Sequence, residues 1–308
     1  MKLLTYGNLS AEFENHVRET YPDISVYRPS TKEELSKEIP TAQAYAGFNE
    51  LTGCDLSQLK WIHSFGAGVD AFLAMDHLPS EIQISRTTGS MGVKIGEYCL
   101  SYILADLKKV FPTRHNQAQK RWQQLPQVNL YDQKVLILGT GSIGQGIAQT
   151  LKGLCKSVAG LNRSLRHPEA FDQVLSMDQL DQIKAAHFDI VINALPKTSA
   201  TNGVLDASFF ALFQNSHFIN IGRGNTVEDQ VLLDALDAGL IRRATLDVFN
   251  VEPLPSSSPL WDDERIWVTP HQSGPTSMPD IIESFASAYQ AYQRGQSNEL
   301  FVNREEEY

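Results

Sequence analysis

One arginine of this sequence stands between two glycines, directly after a short apolar run. The stretch FINIGRGNTVED covers residues 218–229, and its run from Phe218 to Ile221 predicts a buried β-strand. Arg223 would then follow the carboxyl end of that strand, where little side-chain bulk surrounds it. A permanently charged guanidinium in that place could bind a small anion. The competing interpretation is a strand-end turn whose arginine points into water, and the fragment alone leaves both open.

A glycine-rich loop after another apolar run predicts a second anion site. VLIL at residues 135–138 is followed by GTGSIG at 139–144, which places G-x-G-x-x-G between a strand and a helix. The first glycine permits the tight turn, the second lets a pyrophosphate approach the main chain, and the third lets the helix pack on the sheet. The helix N-terminus would face the phosphate charge. The loop residues expected to bind a dinucleotide are Gly139, Gly141, Ser142, Ile143 and Gly144.

The segment about twenty residues after this loop indicates which dinucleotide binds, because an NAD site usually carries an acid there for the ribose hydroxyls. This chain has NRSLRH at residues 162–167 and no acid. Arg163 and Arg166 could pair with a 2′-phosphate, and Ser164 could donate a hydrogen bond to it, with Asn162 beside them. We therefore expect NADP(H) to be favoured, with NAD(H) possible. The alternative is an exposed basic loop without a ligand.

Alternating strand and helix patterns would position these residues. The apolar, unalternating character of the later strands is typical of a parallel sheet covered on both faces. The predicted strands are 2–6, 24–27, 42–48, 61–65, 82–86, 135–138, 157–161, 189–193, 218–221, 244–248 and 266–268, and the predicted helices are 10–20, 31–38, 94–110 and 278–294. A polar stretch at residues 115–133 reads as a connector. This order of elements predicts a doubly wound α/β fold.

Composition restricts the class of protein. A chain of 308 residues with 42% hydrophobic and 20% charged residues suits two globular domains. The net charge of −10 argues against a nucleic-acid partner. Apolar runs too short for a membrane span and a start that turns polar early predict a cytoplasmic protein without a membrane partner. The three cysteines form no C-x-x-C pair, so we expect neither a disulfide framework nor a metal.

Three further segments resemble the signature blocks of the D-isomer-specific 2-hydroxyacid dehydrogenases. They are NIGRGNTVEDQVLLDAL at 220–236, ATLDVFNVEPLP at 244–255 and VTPHQSG at 268–274. FGAGVD at 65–70 resembles the substrate loop of that family, and GEY at 96–98 resembles the start of its interdomain helix. The resemblance extends over essentially the whole chain, in the same order and spacing. It implies two Rossmann-like domains with parallel sheets and hydride transfer between a nicotinamide and a small 2-oxo acid.

The resemblance also implies catalytic roles for Arg223, Glu252 and His271. Arg223 matches the anchor for the substrate carboxylate and carbonyl oxygen, because a guanidinium binds in a forked geometry. Its flanking glycines are then expected to give clearance to cofactor and substrate. His271 matches the acid–base, because an imidazole can release and regain a proton in neutral solution. Glu252 matches the carboxylate that orients the imidazole.

The same resemblance assigns supporting residues. Gly66, Ala67 and Gly68 would offer main-chain N–H groups to the substrate carboxylate, and Asp247 would hold the nicotinamide carboxamide. The other residues expected to face the cofactor are Ala194, Leu195, Pro196, Ile221, Gly222, His271, Ser273 and Gly274. Candidates for the pocket of the substrate side chain, or equally for core packing, are Tyr45, Phe48, Met91 and Trp122.

The family plan predicts how these residues are distributed along the chain. Residues 1–98 and 275–308 would form the substrate domain, around an inserted cofactor domain at 99–274. The active site would lie in the cleft, where closure excludes water. The resemblance also implies a homodimer that pairs through the cofactor domains.

Three other functions compete with a reductase of short 2-oxo acids such as glyoxylate or hydroxypyruvate. A formate dehydrogenase carries glutamine where this chain has Glu252, which argues against it. A phosphoglycerate dehydrogenase shares the core motifs, but the basic segment is less usual there and no regulatory domain is expected. A dinucleotide-sensing corepressor-type binding protein can keep the same triad. The absence of a basic patch argues against that binding protein.

Overall fold

The computed structural model describes residues 1–165 and 168–307. The strands are β1 (Lys2–Tyr6), β2 (Ser25–Tyr27), β3 (Ala44–Gly47), β4 (Trp61–Ser64), β5 (Gln83–Arg86), β6 (Lys134–Leu138), β7 (Ser157–Leu161), β8 (Gln173–Leu175), β9 (Ile190–Asn193), β10 (Ser216–Asn220), β11 (Ile241–Leu246) and β12 (Ile266–Val268). The α-helices are α1 (Ser10–Thr20), α2 (Lys32–Glu38), α3 (Asp70–Leu73), α4 (Met91–Leu107), α5 (Val110–Ala118), α6 (Ser142–Leu151), α7 (Leu180–Ala186), α8 (Ala207–Phe210), α9 (Asp229–Asp237) and α10 (Met278–Gln293). Across these described residues, no helix has the length and apolar character that crossing a membrane requires.

The chain divides into two compact units. One comprises Met1–Met91 with Thr276–Tyr308, and the other comprises Gly92–Pro275. The first boundary therefore lies at the start of α4, whereas the boundary expected at residue 98 would fall within that helix. All of α4 except its first residue belongs to the second unit, because the i to i−4 hydrogen bonds of a helix make it a single rod. The assignment of substrate and cofactor to the two units stays a prediction.

The first unit is built on a five-stranded sheet in the order β2-β1-β3-β4-β5, in which neighbouring strands pair in parallel. Successive strand residues point to opposite faces. Trp61 of β4 stacks on Phe285 of α10, with ring centroids 5.3 Å apart. The next residue, Ile62, belongs to the core on the other face together with Leu35 of α2. Both faces are thus covered, which explains the apolar strands of this half of the sequence.

The second unit is built on a seven-stranded parallel sheet in the order β12-β11-β10-β9-β6-β7-β8. The chain runs outward from β6 to β8, returns to β9, and then runs outward on the other side to β12. The direction of winding therefore reverses between β6 and β9. Ligands of open α/β sheets bind at the carboxyl ends of the strands where this reversal occurs. The predicted α/β fold with two doubly wound parallel sheets is confirmed.

Glycines bring α4 against α6, the helix that follows the dinucleotide loop. A Cβ on Gly92 would lie 2.9 Å from the carbonyl oxygen of Ser142, and a Cβ on Gly146 would lie 2.6 Å from the Cα of Gly92. A Cβ on Gly96, one turn further along α4, would meet the hydroxyl of Thr150 at 2.3 Å. These distances are far below van der Waals contact, so a larger residue at any of the three positions would push the helices apart.

The element predictions were wrong in two places for identifiable reasons. The polar stretch interpreted as a connector is helical up to Ala118. This helix was missed because α5 buries none of its residues and so lacks an apolar periodicity. β8 was missed because only Leu175 of its three residues is buried, so the strand has no apolar run. At the start of α2, the Thr31 hydroxyl accepts a hydrogen bond from the Glu34 N–H at 3.2 Å. The Glu34 carboxylate in turn accepts from the N–H of Ser30 at 2.6 Å.

A buried ionic cluster attaches α4 to the first residues of β10 and β11. The Asp106 carboxylate pairs with the guanidinium of Arg242 and lies 3.6 Å from Nδ1 of His217. Burial raises the pKa of Asp106, but the Arg242 charge and hydrogen bond lower it further, so the net shift is downward. Burial lowers the pKa of His217 to about 3 although Asp106 opposes this shift. His217 is therefore a neutral hydrogen-bonding group, and its Nε2 lies 2.9 Å from the Thr245 hydroxyl.

The buried neutral state of His217 predicts a loss of stability in mild acid. A histidine in an unfolded chain has a pKa of ~6.5. Below that pH the His217 imidazole binds a proton in the unfolded chain, whereas in the folded chain it stays neutral down to about pH 3. Stability is thus fully present above ~6.5 and falls as the pH decreases through this window. His217→Gln should reduce the loss of unfolding free energy between about pH 7 and about pH 5 by about 2 kcal/mol, measured by urea denaturation.

The control for this prediction is His77→Gln, which removes an exposed histidine. This variant should keep the pH dependence of the wild type, because the side chain of His77 is in contact with water in the folded chain as in the unfolded one. A His217→Gln protein with the same pH dependence as the wild type would show that His217 is not held neutral.

Candidate active site

Most residues predicted to do chemistry lie at the carboxyl edge of the seven-stranded sheet. Arg223 follows β10, Asp247 and Glu252 follow β11, and His271 follows β12. These three strands are neighbours and run in parallel. Their carboxyl ends therefore meet at one edge, which is the edge where parallel sheets bind ligands.

His271 and Glu252 form a hydrogen-bonded pair. Nδ1 of His271 lies 2.7 Å from Oε2 of Glu252. The other carboxylate oxygen, Oε1, accepts the main-chain N–H of Phe249 at 2.9 Å, which fixes the orientation of the carboxylate. Because an ionised carboxylate only accepts, Nδ1 carries the hydrogen of this pair and Nε2 is left to exchange a proton. The pair therefore has the geometry of an oriented acid–base group.

The buried carboxylate of Asp247 holds the loop that carries His271 through hydrogen bonds. Oδ1 accepts the Thr269 hydroxyl at 2.6 Å and the N–H of Gln272 at 2.9 Å, and Oδ2 accepts the N–H of Ser273 at 2.9 Å. The N–H of His271 donates to the carbonyl oxygen of Asp247 at 2.9 Å. Asp247 thus binds residues on both sides of the histidine.

His271 itself has a left-handed backbone, with φ 49°. A residue with a Cβ pays about 1–2 kcal/mol for this conformation, so it persists only where surrounding bonds impose it. The four hydrogen bonds to Asp247 impose it here. They turn the imidazole towards Glu252, which no local sequence preference would do.

Tyr98 extends this hydrogen-bond chain to helix α4. Its hydroxyl lies 2.6 Å from the Thr269 hydroxyl, which itself donates to Asp247. Burial raises the pKa of Tyr98, so its hydroxyl stays protonated and donates to Thr269. Sequence reasoning missed Thr269. The sequence offered one indication: Thr269 lies two residues before His271, and the proline between them has no N–H to donate.

The predicted role of Asp247 towards a nicotinamide carboxamide can be compared with its bonding capacity. A carboxylate has about four acceptor sites, of which the loop occupies both on Oδ1 and one on Oδ2. Among the described residues, one acceptor site on Oδ2 therefore stays open for an amide N–H donor. The structure is compatible with the role and adds a second one, which is to hold the loop.

Arg223 leaves β10 through a turn built on buried amides. Asn193 donates from Nδ2 to the side-chain oxygen of Asn220 at 2.9 Å and to the Thr226 hydroxyl at 2.8 Å. The Thr226 hydroxyl donates to the carbonyl oxygen of Arg223 at 2.7 Å. The guanidinium is half-buried, and its Nη1 donates to the carbonyl oxygen of Gly222 at 2.8 Å. The carbonyl oxygen of Arg223 is thus held by Thr226 of its own turn, and Asn193 connects this turn to β9.

The two glycines that flank Arg223 have a reason that differs from the expected clearance for ligands. A Cβ on Gly222 would lie 2.6 Å from the carbonyl oxygen of Leu195, and a Cβ on Gly224 would lie 2.0 Å from the carbonyl carbon of Phe249. Both glycines therefore allow the main chains that follow β9 and β11 to approach the arginine turn. The interpretation as ligand clearance overlooked these neighbours because the strand order was not known from the sequence.

The glycine-rich loop after β6 has the geometry of a phosphate-binding turn. Gly139 has φ 95°, and a Cβ on Gly144 would lie 1.9 Å from its carbonyl oxygen. At Gly141 an added Cβ would meet no heavy atom of the described residues within 4 Å. Because Gly141 is also the N-cap of α6, no side-chain oxygen caps the helix that Ser142 and Ile143 begin. The first turn of α6 is thus open to an anion.

The segment after β7 is held against this loop by Asn162. Its Nδ2 donates to the Thr140 hydroxyl, and its Oδ1 accepts the N–H of Leu165. The side chains of Arg163 and Ser164, between these bonds, are exposed. Arg166, the other predicted phosphate ligand, lies outside the described residues. Sequence reasoning missed Thr140, although its place between the first two glycines of the motif was the available signal.

The remaining residues predicted to line the cofactor follow the same strand edge. Leu195 lies in the segment after β9 and donates its N–H to the side-chain oxygen of Asn193 at 3.2 Å. Ile221 directly follows β10. The residues placed at these strand ends are Ala194, Leu195 and Pro196 after β9, Ile221 and Gly222 after β10, and Ser273 and Gly274 after β12. Within the described residues, no group of three or more His, Cys, Asp or Glu side chains could hold a metal ion.

The predicted substrate loop follows β4 in the first unit. The N–H of Gly66 donates to the Ser64 hydroxyl at 3.2 Å, so it is already engaged. Among the described residues, the N–H groups of Ala67 and Gly68 donate to no main-chain carbonyl oxygen. These two amides therefore stay the candidates for binding an anion.

The four candidates for the side-chain pocket differ in burial. Tyr45 is fully buried and donates its hydroxyl to the carbonyl oxygen of Phe48 at 2.8 Å, and Phe48 packs against Phe65. Met91 is also buried. Trp122 is fully exposed instead.

Comparisons with known proteins agree on one family. A family model described as the NAD binding domain of D-isomer specific 2-hydroxyacid dehydrogenases matches residues 100–273. Glyoxylate/hydroxypyruvate reductase A of Photorhabdus laumondii is 37% identical over 234 residues, which cover 73% of this chain and 74% of that protein.

Solved structures are similar over nearly the whole chain. A D-isomer specific 2-hydroxyacid dehydrogenase family protein of Aeromonas salmonicida superposes with a TM-score of 0.87 at 30% identity, covering 98% of each chain. An NADPH-dependent glyoxylate/hydroxypyruvate reductase of Sinorhizobium meliloti, solved with NADP and sulfate, superposes with a TM-score of 0.83 at 25% identity. The latter match covers 100% of this chain and 99% of the other.

Proposed function

The chain belongs to the D-isomer specific 2-hydroxyacid dehydrogenase family, and from that premise we propose that it reduces a short 2-oxo acid with NADPH. The product would be the corresponding D-2-hydroxy acid. The observation that carries the proposal is the His271–Glu252 pair, 2.7 Å apart, at the edge of the sheet where Arg223 also emerges. Relatives named as glyoxylate/hydroxypyruvate reductases support a substrate of two or three carbons.

Each residue of the triad has one role in the proposed reaction. The guanidinium of Arg223 binds the carboxylate and the neighbouring carbonyl oxygen, which polarises the carbonyl group. NADPH, when bound, supplies the hydride that forms the new C–H bond. His271 donates the proton on Nε2 to the carbonyl oxygen as it becomes an alkoxide, and Glu252 stabilises the orientation of the ring through Nδ1. Hydride and proton together convert the carbonyl group into a hydroxyl group.

The second unit would hold the dinucleotide, and the first would hold the substrate carboxylate through the amides of Ala67 and Gly68. The open first turn of α6 supports a pyrophosphate site there. The exposed Arg163 and Ser164, in a segment without an acid, support a site for the 2′-phosphate. Related structures solved with NADPH or NADP support the same preference.

The comparisons do not favour the phosphoglycerate dehydrogenase or the corepressor interpretation of the sequence. We place the enzyme in the cytoplasm, because Cys54, Cys99 and Cys155 are all free thiols and disulfides are rare in that compartment.

The segment from α5 to residue 129 supports a homodimer through the cofactor unit. None of residues 111–129 is buried, and Trp122 is fully exposed. The base of the segment is fixed, because Phe111 packs edge-on against Trp267 with ring centroids 4.8 Å apart. A long segment that is fixed at its base but buries nothing is expected to be covered by a partner. We assign a second copy of this chain as that partner, as the family plan implies.

The first experiment tests the reaction and the role of Arg223. Wild-type protein should oxidise NADPH with glyoxylate and hydroxypyruvate. Arg223→Ala should lower kcat/KM by about 10³-fold, because a charge-assisted forked contact is lost in the transition state. The Kd of NADPH should stay nearly unchanged. Arg223→Lys should fall between the two, because it keeps the charge without the fork.

Arg294→Ala, which removes an exposed arginine at the end of α10, is the control and should keep wild-type kinetics. Unchanged kinetics in Arg223→Ala would remove that residue from the site. A wild type that binds NADPH but turns over no 2-oxo acid would favour the binding-protein function.

The second experiment tests the preference for NADPH. Arg163→Asp should shift the ratio of kcat/KM for NADPH to that for NADH by about 100-fold towards NADH, because a carboxylate repels the 2′-phosphate that the arginine attracted. Lys156→Asp makes a similar charge change at another exposed position of the same unit, and it should leave the ratio unchanged. Equal ratios in wild type and Arg163→Asp would show that this segment does not touch the 2′-phosphate.

The third experiment tests the dimer. Sedimentation should give the mass of two chains, and Trp122→Asp should raise the dissociation constant by about 100-fold, because a large aromatic side chain at an interface often dominates affinity. Trp261→Ala removes a half-exposed tryptophan outside the segment and should keep the dimer. A wild type that sediments as a monomer at assay concentration would contradict the proposal.

A further inference from the structure

A chain of buried polar side chains lies beneath the predicted substrate loop of the first unit. It begins at Trp61, whose Nε1 donates to the Ser85 hydroxyl at 2.9 Å. The Ser85 hydroxyl lies 2.9 Å from Nδ1 of His63, and Nε2 of His63 lies 3.4 Å from the Thr87 hydroxyl. The chain ends where the Thr87 hydroxyl donates to the carbonyl oxygen of Ser64 at 2.9 Å. All five residues are at most 2% exposed.

The two ends of the chain determine the direction of every bond in it. A carbonyl oxygen only accepts, so Thr87 must use its hydrogen on Ser64 and accept from Nε2 of His63. Nδ1 then carries no hydrogen and accepts from the Ser85 hydroxyl, which in turn accepts from the indole of Trp61. Burial lowers the pKa of His63 to about 3, so the ring is neutral as this arrangement requires. The Ser85 hydroxyl also lies 3.5 Å from the carbonyl oxygen of Ile62, but its contact with Nδ1 of His63 is shorter, at 2.9 Å. A buried polar chain of this kind makes the arrangement rigid.

The end of this chain controls the main chain of the substrate loop. The N–H of Thr87 donates to the carbonyl oxygens of Ser64 at 3.0 Å and of Gly66 at 3.3 Å. With its hydroxyl, Thr87 therefore makes three contacts to the turn that follows β4. The Ser64 hydroxyl accepts the N–H of Gly66, which occupies the first amide of the loop. The amides of Ala67 and Gly68 directly follow this fixed part.

We propose that Thr87, supported by His63 and Ser85, is a positioning residue that fixes the substrate loop for binding a carboxylate. Two amides bind an anion well only when their direction is set before the anion arrives. Thr87 belongs to the segment after β5 and is not itself a ligand of the substrate. It acts through Ser64 and Gly66 on the amides of the next two residues. This inference rests on the proposed function, because it takes the loop as the carboxylate site.

The test removes only the hydroxyl of Thr87. Thr87→Val keeps the shape of the side chain and should raise the KM for glyoxylate by about 5- to 10-fold, as expected for one lost buried hydrogen bond. The kcat and the KM for NADPH should change by less than about twofold, because the chemistry and the cofactor unit are untouched. Thr87→Ser restores a hydroxyl at the same position and should return the KM for glyoxylate to near the wild-type value.

Thr5→Val is the matched control. Thr5 lies in β1 of the same unit, is fully buried, and has a hydroxyl without a hydrogen-bond partner among the described residues. The same chemical change there should leave the KM for glyoxylate unchanged. Equal effects of Thr5→Val and Thr87→Val, or an unchanged KM in Thr87→Val, would overturn the proposal.

One further measurement separates this proposal from the proposed reaction. The Kd of glycolate for the complex with NADP⁺, measured by calorimetry, should rise with the KM in Thr87→Val, and it needs no turnover. If the wild type binds glycolate but turns over no substrate, the proposed reaction is contradicted. The Kd of glycolate for Thr87→Val would still test the role of Thr87. A wild type that neither binds glycolate nor turns over substrate overturns both.

Nitrogen-15 NMR of the histidine side chains tests the supporting chain directly. His63 should show a neutral ring with the hydrogen on Nε2 between about pH 5 and about pH 8, and Thr87→Val should shift its Nε2 resonance. A ring with its hydrogen on Nδ1 would overturn the assigned direction of the chain.

Discussion

The candidate site depends on one buried carboxylate. Asp247 is fully buried, and an ionised carboxylate in such a place is costly unless hydrogen bonds replace its water. Three donors from residues 269–273 do so, and the carbonyl oxygen of the same residue binds the N–H of His271. The need to satisfy this charge therefore determines the path of the loop. The left-handed backbone of His271 and its pairing with Glu252 follow from that path.

Glycines set a second constraint, which is the distance between main chains. The turn that carries Arg223 approaches the segments after β9 and β11 so closely that a Cβ on Gly222 or Gly224 would clash with their backbone. The same holds for Gly144, which brings α6 onto the glycine-rich loop. The contacts of Gly222 and Gly224 bring together the ends of β9, β10 and β11, and the contact of Gly144 packs α6 on the loop after β6. The glycine pattern of the sequence thus reflects packing between loops as much as the space for a ligand.

The two units fix their loops with different chemistry. In the second unit, a charged carboxylate collects main-chain and hydroxyl donors around His271. In the first unit, the chain from Trp61 to Ser64 contains no charge, because burial keeps His63 neutral. A neutral chain suits a loop proposed to receive an anion, since a buried negative charge beneath it would weaken binding. Each unit therefore brings fixed donors to its own part of the proposed reaction.

The sequence by itself determined the features that depend on short stretches of chain. Apolar runs predicted most of the strands, with β1, β7 and β12 at the observed residues, and the glycine motif was recognisable from its setting between a strand and a helix. The family blocks pointed to Arg223, Glu252 and His271 as one group. Such patterns are local, so they can be read before the order of the strands is known.

Only the tertiary structure decided which distant groups meet. Asp247 and Ser273 are 26 residues apart, His63 and Thr87 are 24 apart, and Tyr98 and Thr269 are 171 apart. A hydrogen bond requires its two atoms within about 3 Å and in the right direction, and no spacing along the chain encodes that distance. The order of the strands in the sheet and the close approach of the loops determine that distance. For this reason the loop-holding role of Asp247, the contribution of Thr140 and Thr269, and the reason for the paired glycines became visible only in the fold.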